Sequence, residues 1–131
     1  MSKIFQKSEF NKMAADILFK ENLYAPSIHC SYYGCFQLIK YILNKYFGIA
    51  YDDIGTDVAS SHVYLQNKFI EEIKKIKLYS TLEIAELHRK IKELKGLRIL
   101  ADYKNEEIKQ NTAEQALDYS RDIRALLIKI N

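Results

Sequence analysis

The scarcity of chain-breaking residues is the feature of this 131-residue chain that most restricts its fold: it has four glycines and one proline. Glycine and proline are the strongest local signals for turns and for the ends of secondary structure. No region alternates apolar and polar residues as half-buried strands do, and apolar residues instead recur at intervals of three and four. The sequence therefore predicts an all-α protein, an up-and-down antiparallel bundle of about five helices in a single domain over residues 1–131.

The first two helices are predicted from their end signals and apolar faces. One opens at Ser8, a helix-capping residue type, and is expected to pack through an apolar stripe. The next begins near Pro26 and runs to Phe47, with Gly48 as its stop. Its apolar face is the broadest in the chain, so we expect it at the centre of the core or partly buried by a second subunit. The stripe comprises Phe10, Met13, Ala14, Ile17 and Leu18, and the broad face comprises Ile28, Tyr32, Cys35, Phe36, Ile39, Ile42, Leu43 and Tyr46.

Three more helices follow a polar connection over residues 51–57. The fourth helix begins with the capping box Ser80-Thr81-Leu82-Glu83 and continues to Tyr103, with Gly96 as a weak point. The fifth begins with a second such box, Thr112-Ala113-Glu114-Gln115. The apolar faces comprise Val63, Phe69, Ile70, Ile73 and Ile76 on the third helix, Ile84, Leu87, Ile91 and Leu94 on the fourth, and Ala116, Tyr119, Ile123, Leu126, Leu127 and Ile130 on the fifth.

Composition limits the setting of the chain. No run approaches the ~18 apolar residues of a membrane span and no apolar signal region opens the chain, so we expect no membrane association and a cytoplasmic location. Cys30 and Cys35 lie on different faces of one predicted helix, which predicts free thiols. No zinc-ligand spacing surrounds them, and neither a metal nor a cofactor is predicted. A net charge of +3 is weak support for RNA on its own.

The segment Leu97-Arg98-Ile99-Leu100-Ala101-Asp102-Tyr103 is the strongest candidate for function, since it places an arginine, a carboxylate and a phenol within two helical turns. The planar guanidinium of Arg98 can bind two phosphate oxygens. Tyrosine is a weak general base at neutral pH, because its ordinary pKa is about 10. An alternative stays open, in which Arg98 and Asp102 form a surface ion pair.

The other candidates each have a structural and a functional interpretation. Tyr33 and its neighbour Tyr32 either pack as aromatics with hydrogen-bonded hydroxyls or offer a stacking surface. His29 and His88 have no evident partner and are interpreted as solvated or helix-face residues. His62 remains a further candidate for function, although nothing in the sequence places it near the arginine.

Two segments taken together resemble one family. They are Ser31-Tyr32-Tyr33-Gly34-Cys35-Phe36-Gln37-Leu38-Ile39-Lys40 and residues 97–103, followed by a helix over residues 112–130. In this order and spacing they resemble the HEPN family, and Ser61-His62 resembles a Thr-His pair that many members carry before the third helix. The resemblance implies a small helical bundle, usually a homodimer, that is associated with nucleotide or RNA binding and often acts beside a minimal nucleotidyltransferase.

Ribonuclease members of that family carry an arginine followed four to six residues later by a histidine, and Arg98 and Tyr103 occupy those places here. Because a tyrosine replaces the histidine, the resemblance favours binding over catalysis. The leading prediction is a homodimer that binds a nucleotide, RNA or a nucleotidyltransferase partner in a toxin-antitoxin or defence system, with Arg98, Asp102, Tyr103 and Tyr33 at the site. One alternative is a metal-independent endoribonuclease toxin with Arg98 and Tyr103 as catalytic residues and His62 or Asp102 as a base. Another is a non-catalytic structural or interaction module whose second helix is a dimer face.

Overall fold

The computed structural model describes residues 2–50 and 58–130, without the side chains of residues 58–61. Within these ranges the chain forms five helices and no strand, and the predicted all-α bundle is confirmed. The predicted connection over residues 51–57 and the side chain of Ser61 lie outside the described residues. No helix in the described part is long and apolar enough to cross a bilayer. The helices are α1 (Lys3–Lys20), α2 (Tyr24–Phe47), α3 (Val58–Lys75), α4 (Thr81–Tyr103) and α5 (Gln110–Leu127).

Helix α2 is the centre of the bundle, because each of the other four helices packs against it. Ile28, Ile42 and Leu43 on its broad face are almost completely buried within the single chain. Of the predicted face, Tyr46 alone is classed as exposed. The helix ends as predicted at Gly48, which adopts the left-handed conformation (φ 69°) that glycine enters without a steric penalty. The central position predicted for α2 therefore holds, and a second subunit is not needed to bury this face.

The predicted start of α1 is wrong. The helix begins at Lys3, and the hydroxyl of Ser2 accepts a hydrogen bond from the backbone N–H of Phe5 as its N-terminal cap. Ser8 lies inside the helix and is completely buried. Ser8 is thus a packing residue inside the helix, and the residue that caps the helix is Ser2.

The predicted packing stripe of α1 is also wrong, because three of its five side chains face outward. Phe10, Met13 and Ile17 are 58–66% exposed. The same kind of correction applies to Val63 on α3 and to Ile76, which follows the end of α3, because both are exposed. Phe69, Ile70 and Ile73 are buried as predicted. Apolar periodicity identified these helices but did not identify which side of α1 meets the core.

Small residues allow α1 and α2 to approach closely. The Ser8 hydroxyl donates a hydrogen bond to the Gly34 carbonyl at 2.6 Å, and the Ser27 hydroxyl donates to the Ala15 carbonyl at 2.7 Å. From α5, Nη2 of Arg124 donates to the Ser8 hydroxyl and carbonyl oxygens at 2.8 and 2.9 Å. Three helices are therefore joined by hydrogen bonds around Gly34.

The two predicted capping boxes have different outcomes. At α4 the box is confirmed, since the Ser80 hydroxyl accepts from the Glu83 N–H and the Glu83 carboxylate accepts from the Ser80 N–H. At α5 it is wrong: the helix begins at Gln110 after Lys109, which makes no side-chain cap, so Thr112 lies within the first turn. Gly96 does not interrupt α4.

We expect alanine to have opposite effects on stability at Gly34 and Gly96, the two glycines that lie inside described helices. A Cβ at Gly96 meets no atom within 4 Å, so Gly96→Ala should raise the free energy of unfolding by about 0.5–1 kcal/mol through better helix propensity. A Cβ at Gly34 would lie 2.9 Å from Nη2 of Arg124 and 3.3 Å from the Ser8 carbonyl oxygen. Gly34→Ala should therefore lower that free energy by about 1–3 kcal/mol through overpacking. Urea unfolding measures both, and an equal gain from the two changes would contradict the close packing at Gly34.

Alanine substitutions at the two predicted capping residues should have different effects on stability. Ser80→Ala removes the acceptor for the Glu83 N–H and should lower the free energy of unfolding by about 1 kcal/mol. Thr112→Ala removes no cap and should change it by less than about 0.5 kcal/mol. Thermal and urea unfolding of the two variants test this difference. A larger loss from Thr112→Ala would mean that α5 begins where the sequence alone had suggested.

Candidate nucleotide-binding site

Arg98 is at the centre of the candidate site, close to the end of α4, and it is 4% exposed. Its guanidinium carbon lies 5.0 Å from the ring centroid of Tyr32, 5.7 Å from that of Tyr33 and 5.4 Å from that of Tyr103. Cations are attracted to the faces of aromatic rings at such distances. The tyrosine pair of α2 and the arginine segment of α4 therefore meet in one cluster.

The alternative of a surface ion pair between Arg98 and Asp102 is wrong. The Asp102 carboxylate instead lies 2.8 Å from Nδ1 of His29, and no carboxylate of the described residues lies within ion-pair distance of Arg98. Nη1 of Arg98 donates to the Tyr103 hydroxyl at 3.2 Å, and Nε is buried without a hydrogen-bond partner. Burial of an uncompensated charge is costly. The arrangement thus leaves a desolvated cation that an anion would stabilise.

Tyr103 forms the outer wall of this cluster. It is the last residue of α4 and is 67% exposed, although its ring and hydroxyl both contact Arg98. Tyr33 is half-buried behind it, and burial raises the pKa of its phenol while Arg98 opposes that rise.

His29 has a partner that the sequence did not indicate. It lies near the start of α2, 73 residues from Asp102, and its ring centroid is 4.6 Å from that of Tyr33. Its side chain is 48% exposed, whereas that of Asp102 is 19% exposed. The interpretation of His29 as a partnerless residue is therefore wrong. His88 is exposed on α4, as expected of a helix-face residue.

His62 is brought to the cluster from α3 and lies beneath it. Its Nδ1 is 2.6 Å from the Tyr32 hydroxyl, its ring centroid is 4.4 Å from that of Phe36, and it is 4% exposed. Burial, followed by the charges of Arg98 and Lys95, lowers the pKa of His62 to about 4. Burial also raises the pKa of the Tyr32 phenol. Both groups are therefore uncharged at neutral pH, and His62 supports Tyr32 from the interior.

The side chains at this site are suited to contact a phosphate and a nucleobase. No three histidine, cysteine, aspartate or glutamate side chains group together within residues 2–50 and 62–130. Cys30 and Cys35 are free thiols, as predicted. A guanidinium binds phosphate oxygens, and aromatic faces stack on nucleobases. Arg98 supplies the first group, and Tyr33 and Tyr103 supply the second.

Comparison with known protein families shows to which family the chain belongs. The model of the HEPN domain matches residues 1–131, its whole length. The chain belongs to the HEPN family. No curated protein and no solved structure shows a significant match to it. At family level, HEPN membership supports a nucleotide- or RNA-related or ribonuclease-type role, and HEPN domains often dimerise.

The two segments that carried the HEPN resemblance contact each other through their side chains. Tyr32 and Tyr33 on α2 pack against Arg98 on α4, and the Tyr103 hydroxyl accepts a hydrogen bond from the same guanidinium. In this HEPN chain the sequence motif is therefore a structural unit, with His62 below it and His29 beside it.

The lowered pKa of His62 predicts a pH-dependent stability. The unfolded histidine takes up a proton near its ordinary pKa of 6.5, whereas the folded one does so near 4, so protons favour unfolding between these values. The free energy of unfolding should fall as pH drops through this window, with a slope of up to about 1.4 kcal/mol per pH unit. His62→Gln should remove that slope between pH 6.5 and 5, which urea unfolding at each pH measures. An unchanged slope in the variant would contradict a neutral, buried His62.

Proposed function

We propose that this HEPN protein binds the phosphate of a nucleotide or of RNA through Arg98, with the rings of Tyr33 and Tyr103 beside the attached base. The observation that carries the proposal is the guanidinium itself: it is 4% exposed, its Nε has no partner, and its charge faces tyrosine rings rather than a carboxylate. A phosphate would supply both the missing charge and the missing acceptor.

The position of Asp102 supports the same proposal. A carboxylate one helical turn after Arg98 would normally compete with an incoming phosphate, but its binding to His29 keeps it engaged elsewhere. The cation therefore stays available for a ligand. Asp102 and His29 would then contact the sugar or base of the bound nucleotide rather than its phosphate.

Binding requires access to Arg98, and Tyr103 is the group that controls it. The Tyr103 hydroxyl accepts one guanidinium hydrogen bond, which a phosphate oxygen can replace with a stronger, charge-assisted one. The displaced ring, already largely exposed, would then be free to stack on the base. Tyr103 stands at the place of the family's catalytic histidine, so we propose for it a binding role rather than proton transfer.

We also propose that the chain acts as a single domain and as a homodimer, in the cytoplasm, beside a minimal nucleotidyltransferase in a toxin-antitoxin or defence system. The dimerisation of many HEPN domains supports the oligomeric part. The exposed Phe10, Met13 and Ile17 on α1 are apolar surface that the single chain leaves uncovered. Sedimentation of the purified protein measures the oligomeric state, and a monomer at micromolar concentration would contradict it.

Substitution of Arg98 tests the proposed phosphate contact. Arg98→Ala should weaken binding of a fluorescein-labelled single-stranded RNA and of a labelled adenine nucleotide about tenfold or more, since a hydrogen bond to a charged group contributes about 1.5–3 kcal/mol. Arg98→Lys keeps the charge without the fork and should recover only part of the loss. The matched control is Arg89→Ala, an exposed arginine of α4 that pairs with Glu86 and Glu93.

Fluorescence anisotropy at one fixed salt concentration measures these affinities, and circular dichroism confirms that each variant is folded. Tyr103→Phe removes the hydrogen bond but keeps the ring, so it should bind at least as well as the wild type, whereas Tyr103→Ala should bind more weakly. If Arg98→Ala and Tyr103→Ala leave the affinity for both ligands unchanged in folded protein, the proposed site is wrong.

A further inference from the structure

We propose that Arg98 is one end of a cationic edge of α4, formed with Lys95 and Lys92, and that the two lysines bind further phosphates of a single-stranded RNA. This inference rests on the proposed function, in which Arg98 holds a phosphate of a nucleotide or of RNA. It goes further by naming the ligand as an RNA chain that follows α4 for about two turns, rather than a single nucleotide.

Helix α4 carries its charged side chains on two edges that differ in their partners. The edge that faces α5 carries Lys90, whose ammonium lies 3.0 Å from the Asp122 carboxylate and 3.9 Å from that of Glu86. Lysines and glutamates alternate along this segment of the sequence, but the helix separates them, because residues three and four apart lie on one face. Between the two edges lies the buried side of the helix, formed by Leu87, Ile91, Leu94 and Arg98.

The opposite edge of α4 carries cations without a carboxylate partner. Lys92, Lys95 and Arg98 follow one another at intervals of three residues, so each side chain is the neighbour of the next along the helix. No carboxylate of the described residues lies within ion-pair distance of either lysine. Asp102, the acidic residue that follows Arg98 by one turn, is bound to His29. This edge therefore keeps its positive charge.

Lys95 acts on the same surroundings as Arg98. It is half-buried, and burial, followed by the charge of Arg98, lowers the pKa of its ammonium. Burial, followed by the charges of Arg98 and Lys95, lowers the pKa of His62, which reaches the cluster from α3. Neighbouring like charges disfavour each other, and an anion beside them removes that penalty. A phosphate next to Lys95 and Arg98 would do so, and it would also supply the acceptor that Nε of Arg98 lacks.

The length of the cationic edge suits a short strand better than one phosphate. The six residues from Lys92 to Arg98 rise about 9 Å along the helix, and a stacked nucleic-acid strand carries one phosphate for about every 3.4 Å of its axis, so the edge spans about two to three phosphates. A nucleoside monophosphate bound at Arg98 would leave the lysines without a ligand. The exposed ring of Tyr103 follows Arg98 at the end of α4, where the base beside the first phosphate can stack.

A double variant that removes both lysine charges tests the cationic edge. The probe is a fluorescein-labelled single-stranded RNA of six nucleotides, and adenosine monophosphate labelled on its ribose is the short comparison. Lys92→Gln/Lys95→Gln should weaken RNA binding about tenfold at 0.15 M salt, because it removes two phosphate contacts. The affinity for the mononucleotide should change less than about twofold. Glutamine and lysine have similar helix propensities, so the variant should fold, which circular dichroism verifies.

The matched control removes two paired cations from the same helix. Arg89→Gln/Lys90→Gln lowers the net charge equally, but these side chains are held in ion pairs by carboxylates of α4 and α5, so the RNA affinity should change less than about twofold. Fluorescence anisotropy at several salt concentrations then counts the phosphate contacts. The lysine variant should lower the slope of log affinity against log salt by about 1.4, since each contact with a single strand contributes about 0.7. The control and Lys92→Arg/Lys95→Arg should keep the slope of the wild type.

The outcomes distinguish this inference from the proposed function. RNA binding that depends on Arg98 but is equal in the lysine variant and its control overturns the cationic edge and leaves the phosphate contact of Arg98 intact. An equal loss of affinity for the RNA and the mononucleotide overturns it as well, as does an unchanged salt slope. If Arg98→Ala alters the affinity for neither ligand, the proposed function from which the inference starts is itself wrong.

Discussion

The burial of α2 against all four other helices is the constraint on which the rest of the structure depends. Because α2 contacts a different helix on each side, the size and polarity of its side chains differ from one side to the next. Ser27, Ser31 and Gly34 form a narrow side that lets α1 approach closely, and Ile28, Ile42 and Leu43 lie in the core. Large aromatic residues remain for the side that faces α4, and there they enclose Arg98 instead of another apolar residue.

That enclosure explains how a cation can be buried in this bundle. The rings of Tyr32, Tyr33 and Tyr103 provide negative faces, and the Tyr103 hydroxyl provides one acceptor, but neither replaces the full charge of a carboxylate. His62 lies beneath the cluster and adds no charge to it, since its lowered pKa keeps it neutral. The site thus keeps its positive charge at neutral pH, and the rigid core beneath it fixes the position of that charge.

Apolar periodicity and end signals predicted the helical class, the position of α2 and the cap at Ser80, because each depends on residues close together in sequence. The outward orientation of the α1 stripe was not predicted, since this helix meets α2 through buried serines that donate hydrogen bonds to backbone carbonyls and through Phe5 and Phe19, which lie outside the stripe. Within the site, Arg98, Asp102 and Tyr103 were found together because they share two helical turns. The contacts of His29 with Asp102 and of His62 with Tyr32 join different helices, and no local pattern records such pairs.

The pairing of Asp102 determines the chemistry open to the site. On an isolated helix its carboxylate would be expected to bind Arg98 one turn earlier, which would neutralise the cation and leave the histidine without orientation. The packing of α2 against α4 offers it His29 instead, at 2.8 Å. One carboxylate placed in this way has two effects: the guanidinium is left without an anionic partner among the described residues, and the His29 ring is joined to α4. The surroundings of Arg98 therefore depend on the contact between α2 and α4, and a sequence motif confined to α4 contains only part of this cluster.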